Sequence, residues 1–391
     1  MTAYRLKDAS EASWSSGGMT RRLSSFLDIG PGRPSCSPYV LGVLEGEGVG
    51  PEVIGAALGV LAALDGPKFD IRMGGAIGHK AEALDGKLTP DIASFCDDIF
   101  SAGGVILAGP GGGRFVYDLR RRFDLFCKIV PLLVSNELAE QNRLKERFLK
   151  DVDIVLLREN CSGLYQGEAA VEDHASEGRR VTHTFAYSER EVRRIVQPAA
   201  GIAASRRGKL TVVVKDGGLP AISDLWRDCA TAAAQAVGIK CSFANIDLAA
   251  YQMIQEPRNL DVIVAPNLFG DVLADLGAVL IGGRGVSFSG NFAGDGTAVY
   301  QTNHGSAFDL AGQDRANPVG QIFSLAMLLR ESFGLFEEAA LIENAVASVW
   351  REGWRTVDLG GVGNRIVGCA QMGELVAASV AKLGKVRRIA V

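Results

Sequence analysis

The 391-residue sequence has no C-x-x-C pair, no internal repeat and no low-complexity tract between residues 38 and 391. Nor does any apolar run approach the roughly 20 residues of a membrane span. Its cysteines (Cys36, Cys96, Cys127, Cys161, Cys229, Cys241 and Cys369) are scattered and odd in number. That argues against a disulfide or zinc framework and fits reduced thiols in a cytoplasmic protein. Excess charge is also missing. A formal net charge of −4 and a pI near 5.7 argue against nucleic acid or an anionic membrane as a partner. The G-x-G-x-x-G dinucleotide fingerprint is absent too. Gly46, Gly48 and Gly50 are spaced G-x-G-x-G, Pro51 opens the next helix, and the pattern reads as a tight strand-to-helix turn.

What is present is a large apolar fraction, 47% hydrophobic against 22% charged, enough for a sizeable core. The length fits two or three domain-sized units or one large α/β protein. Residues 1–37 are rich in Ser, Gly and charge, and are expected to form a flexible N-terminal extension. Arg21-Arg22 is not followed by the apolar segment of an export signal. The ordered chain is expected to begin at Tyr39-Val-Leu-Gly-Val-Leu, a buried-strand pattern. Further strands are predicted at Gly104–Gly109, Asp153–Arg158, Leu210–Lys215 and Leu260–Pro266. Longer helical segments separate them, which implies α/β architecture with mainly parallel pairing. Residues 168–190 read as polar and irregular, with a short β-like Arg180–Phe185, an excursion suited to pairing with another subunit.

The chain is organised around Asn267-Leu-Phe-Gly-Asp-Val-Leu-Ala-Asp-Leu-Gly. Here Val272, Leu273, Leu276, Val279 and Leu280 repeat at helical spacing. Asp271 and Asp275 are four apart, so their carboxylates share a helix face about 5–6 Å apart at Cβ. Such a pair is either a solvated face or a site for Mg²⁺ or Mn²⁺. Arg120 lies in a run of three arginines, open to reading as a solvated face or as a fork for a substrate carboxylate. Arg158 and Lys215 stand at strand ends, where open α/β sheets build their sites. Lys215 is either an ion-pair partner or a base with a lowered pKa.

In order along residues 39–385, these segments resemble the isocitrate/3-isopropylmalate dehydrogenase family. The resemblance rests on Leu44-Glu-Gly-Glu-Gly-Val-Gly-Pro-Glu-Val, Leu157-Arg-Glu-Asn-Cys-Ser-Gly-Leu-Tyr, the Asn267 stretch, and His304-Gly-Ser-Ala-Phe-Asp-Leu-Ala-Gly with Ala316-Asn-Pro. It implies an α/β, two-domain fold around a continuous mixed sheet, with an intersubunit clasp at 168–190. The cofactor-side domain would be 38–125 with 282–391, and the substrate, metal and dimerisation domain 126–281. A homodimer or larger homo-oligomer is implied.

The resemblance further implies oxidation of a malate-type 2-hydroxy acid by NAD, loss of CO₂, and a divalent cation held by Asp271 and Asp275 with Asp247 of a partner subunit. Lys215 matches the family's base. Counting back from Trp226 would place Asp216 there, but counting forward from Lys209 favours Lys215. Tyr165 matches the tyrosine that protonates the enol, with a buried structural aromatic as its alternative. Arg120 and Arg158 would hold carboxylates. His304, Gly305, Ser306, Asp309 and Asn317 would hold NAD, since the Asp309 carboxylate would repel the 2′-phosphate of NADP.

Departures from the pattern point to a substrate that is held differently or lies outside the family's usual acids. Val130 stands where a carboxylate-binding arginine is usual, and only Lys128 is close by. Gln301, Phe308 and Gly217 replace a Glu, a Pro and an Asn. Two further readings are a non-catalytic regulatory subunit and a dehydrogenase that does not decarboxylate.

Overall fold

A computed structural model describes residues 38–389, apart from 79–85, 141 and 175. The expected extension at 1–37 lies outside the described residues. Ten strands form one sheet: β1 (Tyr39–Leu44), β2 (Phe69–Met73), β3 (Val105–Ala108), β4 (Cys127–Leu133), β5 (Asp153–Glu159), β8 (Lys209–Val214), β9 (Lys240–Asn245), β10 (Val262–Ala265), β11 (Phe288–Phe292) and β12 (Ala298–Thr302). Their order is β2-β1-β3-β12-β11-β4-β5-β10-β8-β9. Both flanks are parallel, while the centre (β12-β11-β4-β5) is antiparallel, so the sheet is mixed and continuous. Six of the nine pairings in this sheet are parallel, as the alternation of strands and helices predicts, and the three antiparallel ones lie at its centre.

Strands buried on both faces read as continuous apolar runs. In β3, Val105 and Leu107 enter the larger core cluster, while Ile106 and Ala108 enter the second, on the opposite side of the pleat. In β5, Ile154 to Leu157 are all fully buried. The helix Gly50–Ala62 follows the predicted turn, with Pro51 in its first turn and Gly46 and Gly48 at positive φ. No helix among the described residues is long and apolar enough to cross a membrane.

Residues 168–184 are more regular than their composition predicts. β6 (Glu168–His174) and β7 (Gly178–Thr184) form an antiparallel ribbon outside the main sheet, with Val171 opposite Val181. Both valines are exposed, so the period-2 signal that a buried face imposes on a strand is missing.

The sheet's directions bring one set of ends together. The C-terminal ends of β5, β8, β10 and β11 lie at one edge, and antiparallel β4 brings its N-terminal end there, while β1 and β3 run the opposite way. Lys128 on β4 stands opposite Arg158 on β5 and Asn291 on β11.

Candidate active site

Helix phase separates the three consecutive arginines. On the helix Phe115–Arg122, Arg120 is buried while Arg121 and Arg122 face outward, the latter on Asp97 at 2.8 Å. Arg120 lies over the ring of Tyr117 at 5.7 Å. Its pKa falls to about 10, first through burial and then through the nearby guanidinium of Arg158.

Arg158 is only 2% exposed and is fixed by its neighbours. Its Nε and Nη2 donate to Oδ1 of Asn267 at 3.1 and 2.9 Å, and Nη1 donates to Asp271. Gly270 makes this packing possible, because a Cβ there would fall 2.7 Å from the Cβ of Arg158. The helix Asn267–Leu280 thus presses against the end of β5 and carries both acids of the predicted pair.

Asp271 is the hub. It accepts from Arg158 and, at 3.0 Å, from the hydroxyl of Tyr165. Burial alone would raise its pKa, but Arg158, Lys128 and the tyrosine hydrogen bond outweigh burial and hold it below the usual value. Tyr165 moves the other way, to about 12, through partial burial and the Asp271 carboxylate. One helical turn along, Asp275 pairs with Arg284. Lys128 is buried, and its pKa is pushed well below the ordinary lysine value by burial and then by Arg120 and Arg158.

A second group stands apart on the same chain. Lys215, just past β8, donates to Asp247 at 2.9 Å. That hydrogen bond lowers the pKa of Asp247. Asp216 is taken by Arg227, at 2.6 and 3.1 Å, which leaves Lys215 as the residue facing Asp247. Asp247 is not brought to Asp271 and Asp275 within one chain. The only three-residue grouping of potential metal ligands among the described residues is Glu52, Asp314 and Cys369, elsewhere.

The cofactor-segment residues lie on the loop after β12. Gly48 abuts it: Val49 N–H donates to the carbonyl of Ser306 at 2.9 Å, and a Cβ on Gly48 would sit 1.8 Å from that oxygen. Ser306 Oγ is buried without a partner, as suits a loop shaped for a bound group. His304 Nδ1 lies 2.8 Å from the carbonyl of Gly305, and burial lowers its pKa. Asp309 is exposed, and Asn317 is tied to Asp358 and caps Val319 N–H.

A sequence profile of the isocitrate/isopropylmalate dehydrogenase family matches residues 40–376. The chain belongs to this family. The 3-isopropylmalate dehydrogenase of Priestia megaterium is 36% identical over 355 residues, covering 87% of this chain and 95% of that one. The chloroplastic 3-isopropylmalate dehydrogenase 1 of Arabidopsis thaliana is 35% identical, covering 89% and 88%. Among solved structures, isocitrate dehydrogenase from Methylococcus capsulatus superposes with a TM-score of 0.77 at 30% identity, covering 88% of this chain and 99% of that chain. The protein is therefore an oxidoreductase of this dehydrogenase family, and its mixed sheet is the family's fold.

Three residues of this dehydrogenase's site carried no signal strong enough to assign from sequence. Asn267 orients Arg158 through a neutral amide. Arg284 meets Asp275 from nine residues away. Tyr117 packs edge-on against Tyr165, with ring centroids 5.5 Å apart, between Tyr165 and Arg120. Val130, by contrast, is fully buried opposite Leu156.

Proposed function

We propose that this enzyme carries out NAD-dependent oxidative decarboxylation of a malate-type 2-hydroxy acid with Mg²⁺ or Mn²⁺, and that the acid bears an apolar substituent, as 3-isopropylmalate does. The observation that carries this reading is the convergence of Arg120, Lys128, Arg158 and Tyr165 around Asp271. Three buried cations beside one carboxylate suit a dianionic substrate together with a cation bound at the acids. Asp271 and Asp275 supply two hard oxygens one helical turn apart, and Asp247 of a partner subunit would complete the set. When bound, the divalent ion supplies Lewis-acid stabilisation of charge on oxygen, and the nicotinamide accepts hydride.

The chain's own groups do the rest. Arg120 and Arg158 hold carboxylates in place, Arg158 being pre-aimed by Asn267. Lys215 takes the hydroxyl proton, and Tyr165, still protonated at neutral pH, delivers a proton to the enol once CO₂ has left. With Val130 apolar, Lys128 is the one additional cation at that end of the pocket, and a third carboxylate such as that of isocitrate lacks its fork. In the division into 38–125 with 282–391 and 126–281 that this reading takes over, the NAD loop and the acids belong to different domains. Leu248, Tyr251, Val272 and Val279 are exposed on the helices Ile246–Gln255 and Asn267–Leu280, which pack on each other. Together with the exposed ribbon they form the face for a second copy of the chain.

The test is NADH formation by the purified protein with Mn²⁺ and 3-isopropylmalate, isocitrate or citramalate, with released CO₂ trapped. Turnover of 3-isopropylmalate with stoichiometric CO₂ and little turnover of isocitrate is expected. NADH without CO₂, or isocitrate as the best acid, would overturn the reading.

A further inference from the structure

Arg158 and Glu159 are the last two residues of β5 and point to opposite faces of the sheet. Arg158 meets the helix Asn267–Leu280, while Glu159 lies fully buried toward the helix Glu189–Ala204. Its carboxylate is used at both oxygens: Oε1 accepts from Cys161 N–H at 2.8 Å and Oε2 from Ser162 N–H at 2.9 Å. The turn held in this way reaches back to the other face. The carbonyl of Ser162 accepts from Nδ2 of Asn267 at 2.8 Å, and Oδ1 of the same amide accepts from Nε and Nη2 of Arg158. An amide has one donor end and one acceptor end, so anchoring the donor end on Ser162 turns the acceptor end to Arg158. Tyr187 steadies both partners. Its hydroxyl accepts from Asn267 N–H at 3.0 Å and fills the space beside Gly163, where a Cβ would fall 2.0 Å from it.

Around Glu159, Arg194 approaches Oε1 at 3.8 Å and holds Asp124 at 2.7 Å, and Cys127 stands opposite on β4. Glu191 accepts from Ser162 Oγ at 2.5 Å; burial opposes its ionisation, but the bonds from Ser162 and Ser188 lower its pKa. Burial raises the Cys127 thiol to about 12, and raises the Cys161 thiol and the Tyr187 phenol as well, so these three stay neutral. Burial pushes the Glu159 carboxyl up to about 7, against its two N–H bonds and Arg194. We propose that Glu159 is a positioning residue for Arg158, acting through the Cys161–Ser162 turn and the Asn267 amide. This rests on the reading that Arg158 holds a substrate carboxylate. The ionised carboxylate accepts from both N–H groups. Protonated, it keeps one acceptor oxygen and turns the other into a donor, which releases the turn. Arg158 is therefore firmly aimed above about pH 7 and slackens as the pH falls through that value.

Glu159→Gln imitates the protonated state at every pH. With 3-isopropylmalate, Mn²⁺ and saturating NAD, its KM is expected to exceed the wild-type value at least about fivefold at about pH 8, with kcat within about twofold. The KM ratio should fall toward one at about pH 6, where the wild type is protonated too. A lesion that only weakened the fold would give a ratio independent of pH. That result, or no KM difference at the higher pH, would overturn the proposal. Nuclear magnetic resonance of the full chain needs no substrate. In the wild type the Ser162 amide and the Arg158 Nε–H are expected to shift with one shared midpoint near pH 7, and in Glu159→Gln neither should. Separate midpoints, or an Arg158 signal that does not titrate, would also overturn it, and the wild-type titration remains decisive if Glu159→Gln fails to fold. Should the wild type leave 3-isopropylmalate untouched, the substrate reading falls by itself and the resonances decide the role of Glu159.

Discussion

Asp271 serves two masters, Arg158 and Tyr165, before any cation arrives. Asp271→Asn therefore removes a hard oxygen ligand and loosens two neighbours at once. Mn²⁺ affinity should fall at least about tenfold, the scale seen when groups supporting a metal site are lost. Turnover should fall with it. Calorimetric Mn²⁺ titration beside steady-state rates checks this, and unchanged values for both would remove the metal from these acids. Asp309 allows a separate prediction. It stands exposed on the loop that Gly48 supports, so a 2′-phosphate bound there would meet a carboxylate. The enzyme should use NAD with a kcat/KM at least about tenfold above that for NADP, a gap of about 1.4 kcal/mol. Equal use of the two cofactors would contradict it.

At the scale of elements, the buried strands were legible because burial on both faces writes unbroken β-branched runs. β1 matches its predicted span, and β5 and β10 lie within a residue or two of theirs. The ribbon β6–β7 was not legible as two strands, because neither of its faces is buried and nothing forces alternation. The Asn267 helix was read correctly as a helix, yet two of its five periodic apolar residues, Val272 and Val279, point outward. Periodicity marks an apolar face without saying whether this chain or another covers it. The same limit applied to Arg120. Three adjacent arginines look alike in sequence, and only the rotation of their helix sends one inward. Gly270, inside the Asn267 helix, acts as a packing surface. In a helix, Gly270→Ala would ordinarily gain about 1 kcal/mol. Here the new Cβ meets the Cβ and Cγ of Arg158 at 2.7 and 2.8 Å, atoms close to the backbone that yield little. Overpacking of this kind costs about 1–3 kcal/mol, so it outweighs the propensity gain or at best cancels it. Gly270→Ala should lower the urea midpoint or leave it level while cutting kcat/KM through a displaced Arg158. A stabilised variant with full activity would contradict the close packing.

For the whole molecule, the decisive feature is that one chain holds the site's residues in two separate groups. Arg158, Tyr165, Asp271 and Asp275 form one group, and Lys215 with Asp247 forms the other. Each group is incomplete: the first has the acids, a phenol and Lys128 but not the lysine matched to the family's base, and the second has that lysine, Lys215, and one acid. The exposed apolar residues on the helices beside both groups suggest how they meet, through two-fold pairing that sets each chain's Lys215 in its partner's site. Val272→Asp would place a charge in that interface. It should produce monomers in sedimentation velocity, with turnover lost although the fold persists. A sharper test uses two inactive proteins. Lys215→Ala keeps the metal group intact, and Asp271→Asn keeps the base. If sites are built across the dimer, a heterodimer of the two has one site with both groups intact and one lacking both. Mixing equal amounts under conditions that allow subunit exchange makes about half the dimers hybrid, so about a quarter of wild-type turnover should return. If each chain completes its own site, every site carries one lesion or the other and mixing restores nothing.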